Sequence, residues 1–90
     1  MQRVHVYVSG RVQGVFFRAE TQKTATGLKL NGWVRNMDDG RVEAVFEGGR
    51  QEIDKMLDWC RQGPPMSRVD HVEVIDEPFT GDLQGFRIVY

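Results

Sequence analysis

The segment Gly10-Arg11-Val12-Gln13-Gly14-Val15-Phe16-Phe17-Arg18 carries the residue types best suited to holding an anion. Its glycines let the backbone take positive φ and approach a ligand closely. The segment leads from a strand pattern into a helical one, so its last N–H groups sit at a helix start. There, successive amides converge on negative charge, assisted by the helix dipole. Arg18 falls in the first helical turn, and its planar guanidinium can grip two phosphate or carboxylate oxygens at once. It stays charged at neutral pH and does not serve as a base. On spacing alone, a glycine pair before a helix also makes a plain tight turn, and an arginine there also makes a solvated surface residue. The loop is not a Walker A loop, since no Gly-Lys-Ser/Thr follows, and not a dinucleotide fingerprint, since the third glycine is missing.

The second informative segment runs Gly32-Trp33-Val34-Arg35-Asn36-Met37-Asp38-Asp39-Gly40-Arg41-Val42 and on to Gly48. Asn36 stands where a strand meets its hairpin turn, and asparagine is also a favoured turn residue. Trp33 reads as core or sheet surface. Asp38 and Asp39 read as a solvated turn, because adjacent acids rarely hold Mg²⁺ without a third ligand.

Periodicity supplies the elements that position these segments. Val4, Val6 and Val8 alternate with His5, Tyr7 and Ser9, which predicts a strand. Gly10 to Val15 reads as a loop. Phe17, Thr21, Ala25 and Leu28 fall at helical spacing, although Thr21 is a poor core residue, and Gly27 suits the helix end. Trp33 to Arg35 is a short strand. Asp39-Gly40 marks a hairpin, and Val42, Ala44 and Phe46 return along a third strand, with Arg41, Glu43, Val45 and Glu47 on its other side. Ile53, Met56, Leu57 and Cys60 form the cleanest amphipathic helix, stopped by Gly63-Pro64-Pro65. Val69, Val72 and Val74 predict a fourth strand, and Phe86 to Tyr90 a terminal one. The order β-α-β-β-α-β plus a short strand predicts an α+β, ferredoxin-like split βαβ sandwich. Both helices should cover one face of an antiparallel sheet, leaving the face of His5, Tyr7, Arg41, Glu43 and Val45 partly wet.

Composition bounds the partners. The 90 residues suit one small domain spanning 1–90. Lys plus Arg is 12 against 13 for Asp plus Glu, a formal net charge of -1, which gives no reason to expect nucleic acid or an anionic membrane. Cys60 is the only cysteine, so no intrachain disulfide forms and the cytoplasm is the expected compartment. The N-terminus lacks the apolar stretch of a signal peptide, and no run approaches the roughly 20 apolar residues of a membrane span. His5 and His71 stand far apart with no partner at metal-ligand spacing, so no metal is expected; both read as sheet-surface residues without a role. Cys60 reads as a small buried hydrophobe.

Together the two glycine-bearing segments closely resemble the signatures of the acylphosphatase family. The pattern Gly-x-Val-Gln-Gly-Val-x-Phe-Arg is met by Gly10, Val12, Gln13, Gly14, Val15, Phe17 and Arg18. The pattern Gly-aromatic-Val-Arg-Asn, followed at fixed spacing by Gly, Val and Gly, is met by Gly32, Trp33, Val34, Arg35, Asn36, Gly40, Val42 and Gly48. The likeness extends over the whole chain. Met66-Ser67 departs from the small-residue segment of the family, outside the two signatures.

The resemblance implies a hydrolase of acyl phosphates, the mixed anhydrides of carboxylic and phosphoric acids, acting without cofactor, metal or phosphoenzyme. By motif position, Arg18 and the backbone amides of Gln13, Gly14, Val15, Phe16, Phe17 and Arg18 would bind the phosphoryl group. Asn36 would orient the attacking water. The residue types suit that reaction: a carboxylate leaves readily without a general acid, having a reference pKa of about 4. Neither signature offers a cysteine or a Ser-His pair, which agrees with direct attack by water. The implied partners are a small-molecule acyl phosphate and inorganic phosphate, as product and competitive inhibitor, with the protein a monomer. A non-catalytic phosphate- or carbamoyl-phosphate-binding regulatory module is the alternative; a chain of this length starting at Met1 favours the stand-alone enzyme. An RNA-binding module shares the topology, but the third strand lacks the aromatic pattern of that class.

Overall fold

A computed structural model describes residues 1–90. Strand β1 (Gln2–Arg11) leads through a short loop to helix α1 (Phe17–Gly27); β2 (Asn31–Asn36) and β3 (Val42–Gly48) form a hairpin; α2 (Arg50–Gln62) precedes β4 (Arg68–Glu77) and β5 (Phe86–Ile88). The sheet order is β4-β1-β3-β2-β5. This is the ferredoxin-like α+β arrangement, with two corrections. The sheet is mixed, because β5 lies parallel to β2, pairing Gly32 with Phe86 and Val34 with Ile88. In addition, β1 extends through Gly10 and Arg11, where a loop is predicted: beyond a register shift after Ser9 they pair with Val69 and Arg68. Gly10 has φ 127, and a Cβ there would collide with the Arg68 carbonyl. The glycine thus permits the bulge that turns β1 toward the loop.

The alternation of β1 decides the layers. Val4, Val6 and Val8 join Val42, Ala44 and Phe46 of β3, Phe17 and Ala25 of α1 and Ile53, Met56, Leu57 and Cys60 of α2 in one apolar cluster. Both helices therefore pack on that face. Rings pack within each layer: Phe46 of β3 stacks on Phe86 of β5 and Phe17 of α1 meets Trp59 of α2, with centroids 5.4 Å apart in each pair. Thr21 is fully buried despite its hydroxyl, which donates to the Phe17 carbonyl at 2.7 Å. That bond removes the cost of an unpaired buried donor.

The opposite face is drier than the alternation predicts. All of β3 is buried, including Glu43 and Glu47. Their neighbours on flanking strands cover them: Arg3 and His5 of β1, Trp33 and Arg35 of β2. Glu47 accepts from the Arg3 guanidinium at 3.1 Å and from the Thr80 amide and hydroxyl at 3.0 Å. His5 is not a bystander: its ring nitrogens face Glu43 at 2.6 Å and Glu77 at 2.9 Å, and its ring stacks on Tyr7. His71 is exposed, as expected.

Candidate active site

Three elements meet at the end of the sheet where β1 exits. The loop of residues 12–16 brings backbone amides, α1 brings Arg18, and the end of β2 brings Asn36. Val12, Gly14, Phe16, Phe17, Arg18, Ala19 and Asn36 line one cavity of about 300 Å³, with Ile88 of β5 and Tyr90 just beyond that strand.

Backbone conformation shapes the loop. Gly14 has φ 75, and Phe16 has φ 66 and ψ 20. The left-handed region suits glycine and costs a bulky residue about 1–3 kcal/mol, a strain that concentrates at functional sites. Phe16 caps α1 without any side-chain hydrogen bond to the helix start. The backbone N–H groups of Gln13, Gly14, Val15 and Phe16 donate to no backbone carbonyl of the chain. Those of Phe17 and Arg18 belong to the first helical turn, which has no intrahelical acceptors. A run of free donors is thus presented to the cavity end of α1, where the helix dipole is positive.

Arg18 forms no ion pair and no side-chain hydrogen bond with the protein; its guanidinium lies 5.5 Å from the centroid of the Tyr90 ring. Asn36 contributes a buried Oδ1 with no hydrogen-bond partner. Buried polar atoms are nearly always paired, so an orphan acceptor on a residue that lines the cavity stands out.

Gln13 has a part that its type and place in the loop do not reveal. Its side-chain amide donates to the Met37 carbonyl at 2.7 Å and to the Arg41 carbonyl at 2.9 Å. The side chain pins the loop to the β2–β3 turn, and so fixes the amides relative to Asn36. Asparagines and glutamines often bond to turns, but only the fold shows which turn lies within reach. Asp38 and Asp39 stay exposed on that turn, where Asp39 pairs with Arg41 at 2.9 Å and is held below the usual carboxylate range chiefly by the Arg41 backbone N–H. No three His, Cys, Asp or Glu side chains gather as metal ligands. Burial pushes the Cys60 thiol up to about 12, so it is protonated at neutral pH within the core.

The family model for acylphosphatase matches residues 4–88, which span both signatures. The chain belongs to the acylphosphatase family. An acylphosphatase of Syntrophus aciditrophicus is 58% identical over 90 residues, covering 100% of this chain and 94% of that one. The crystal structure of acylphosphatase from Bacillus subtilis superposes with a TM-score of 0.96 at 39% identity, covering both chains fully. An acylphosphatase structure from Coxiella burnetii gives 0.92 at 41% identity, over 98% of this chain and 92% of that one. This acylphosphatase is thus an enzyme that hydrolyses acyl phosphates, on a ferredoxin-like fold. No helix is long and apolar enough to cross a membrane.

Proposed function

We propose that Arg18 and the amides of Gln13, Gly14, Val15, Phe16, Phe17 and Arg18 hold the phosphoryl group, while Asn36 orients the water that attacks it. The observation that carries this reading is the convergence, on one cavity, of an unpaired guanidinium, a run of free amides and an orphaned buried carbonyl oxygen.

The chemistry follows from charge. Phosphoryl transfer passes through a loose transition state with charge spread over the equatorial oxygens, so catalysis is mainly positioning and electrostatic complementarity. Arg18 and the amides supply positive potential without a metal ion. Water attacks phosphorus, the bond from phosphorus to the bridging oxygen breaks, and the electron pair stays on the departing carboxylate. Asn36 accepts one hydrogen of the water through Oδ1 and cannot take its proton outright. The proton passes to the phosphate oxygens or to solvent. Reaction needs no covalent step, in keeping with a cysteine that is buried and protonated.

The same reading makes residues 1–90 a single cytoplasmic domain working as a monomer, with inorganic phosphate as product and competitive inhibitor. The test is phosphate release from benzoyl phosphate by the purified chain in excess EDTA. Turnover should persist and be inhibited competitively by phosphate. Loss of turnover on chelation, restored by Mg²⁺, would contradict the metal-free account.

A further inference from the structure

Phe16 and Ala19 line two cavities at once. One holds Arg18 and Asn36. The other, of about 260 Å³, lies between Phe16 and Pro64, Pro65 and Met66, with Glu20 as its one charged residue. Phe16 is 74% and Met66 66% exposed, so neither side chain serves the core. Phe16 is moreover held in the left-handed conformation that puts its ring on this rim. Exposed apolar surface beside a reaction cavity suits the apolar part of a ligand.

We propose that this groove is the acyl subsite, and that it selects acyl phosphates whose organic part is uncharged and apolar, with an aromatic or branched carbon skeleton. The inference rests on the phosphoryl assignment above and adds the part of the substrate that assignment leaves open. In-line displacement requires the attacking and leaving oxygens to lie on opposite sides of phosphorus. Asn36 marks the water's side, and it lines only the first cavity. The carboxylate therefore departs away from Asn36, and the apolar space without Asn36 is the one reached across Phe16 and Ala19. Met66 suits a ring, because a thioether is flexible and makes favourable contacts with aromatic edges. Glu20 supplies the exclusion: its carboxylate at the groove disfavours acyl groups that end in a second anion.

The test compares kcat/KM for benzoyl, acetyl and succinyl phosphate in the wild-type chain, Met66→Ala and Glu20→Gln, read as phosphate release. Dividing variant by wild type for each substrate cancels the intrinsic reactivity of each anhydride. Met66→Ala should lower the benzoyl value about fivefold and leave acetyl phosphate unchanged. Glu20→Gln should raise succinyl phosphate about threefold without altering acetyl phosphate. Equal changes for benzoyl and acetyl phosphate in Met66→Ala, with hydrolysis intact, overturn the groove and leave the phosphoryl assignment standing. A wild-type chain that releases phosphate from none of the three overturns both. Sedimentation that finds a dimer abolished by Met66→Ala gives the groove to a second copy of the chain and equally overturns the proposal.

Discussion

The two faces of this molecule treat the same chemical groups in opposite ways. On the sheet face away from the helices, carboxylates are paired: Glu47 with Arg3, Glu77 with Arg3 and His5, Glu43 with His5 and Arg35. At the loop, Arg18 faces no carboxylate, the amides of Gln13 to Phe16 have no backbone acceptor, and the Asn36 carbonyl oxygen is orphaned. Satisfied polar groups hold strands in register; unsatisfied ones are available to a ligand. A burial penalty accepted without repayment inside the protein points to where the ligand completes the set.

Breaking the unpaired side should produce the largest effects. Arg18→Ala should lower kcat/KM for benzoyl phosphate about 10³-fold and weaken phosphate inhibition, since a full charge is lost from the cradle. Near-normal turnover in that variant would remove Arg18 from the mechanism. Asn36→Ala should cut kcat about 10²-fold while the inhibition constant of phosphate stays close to wild type. If phosphate binding collapses with turnover, Asn36 shapes the cavity and does not steer water.

The paired side should answer in stability and not in chemistry. Glu47 is 1% exposed and accepts from Arg3 and Thr80, so Glu47→Gln should destabilise the fold by about 2 kcal/mol in urea unfolding. Its kcat per folded molecule should remain near wild type; a fall like that of Asn36→Ala would erase the distinction between the faces.

The smallest effect is in pH. Arg3 and then His5 hold the Glu77 carboxyl below its ordinary value of 4.5. Burial pushes Glu43 and Glu47 upward, but hydrogen bonds from His5 and Arg35 to Glu43, and from Thr80 and Arg3 to Glu47, leave both lowered. Folded values below unfolded ones mean that the unfolded chain takes up protons first. The stabilisation is therefore present above about pH 4.5 and is lost as pH falls through the depressed values. Acid unfolding followed by circular dichroism should show this loss, and Glu47→Gln should flatten part of it. A wild-type urea midpoint that does not fall from pH 6 to pH 3 would leave the cluster without this role.

Much of the fold was legible because it is written in short-range pattern. The valines of β1 and the Ile53-Met56-Leu57-Cys60 stripe sort themselves at the periods of strand and helix. The pattern misleads where partners distant in the chain intervene. Gly10 and Arg11 read as loop until β4 lies beside them, and β5 reads as one more alternating strand until its parallel seat against β2 is seen. Thr21 is the local exception: a poor core residue by type, it becomes a satisfied one when the helix brings its hydroxyl to the Phe17 carbonyl four residues back. Alternation alone puts Glu43 on a partly wet face, because burial of a carboxylate depends on cations and donors from other segments.

The candidate site groups stand in the chain itself: Arg18 at a helix start, glycine before it, Asn36 at a strand end, in signatures specific enough to name the family. What packing alone decided was their relation. Gln13 clamps one segment to the other, the Asn36 Oδ1 is left without an internal partner, and Phe16 turns outward between two cavities. Pattern records what each stretch prefers by itself, whereas pairing, burial and a missing partner exist only when segments far apart in sequence occupy the same space.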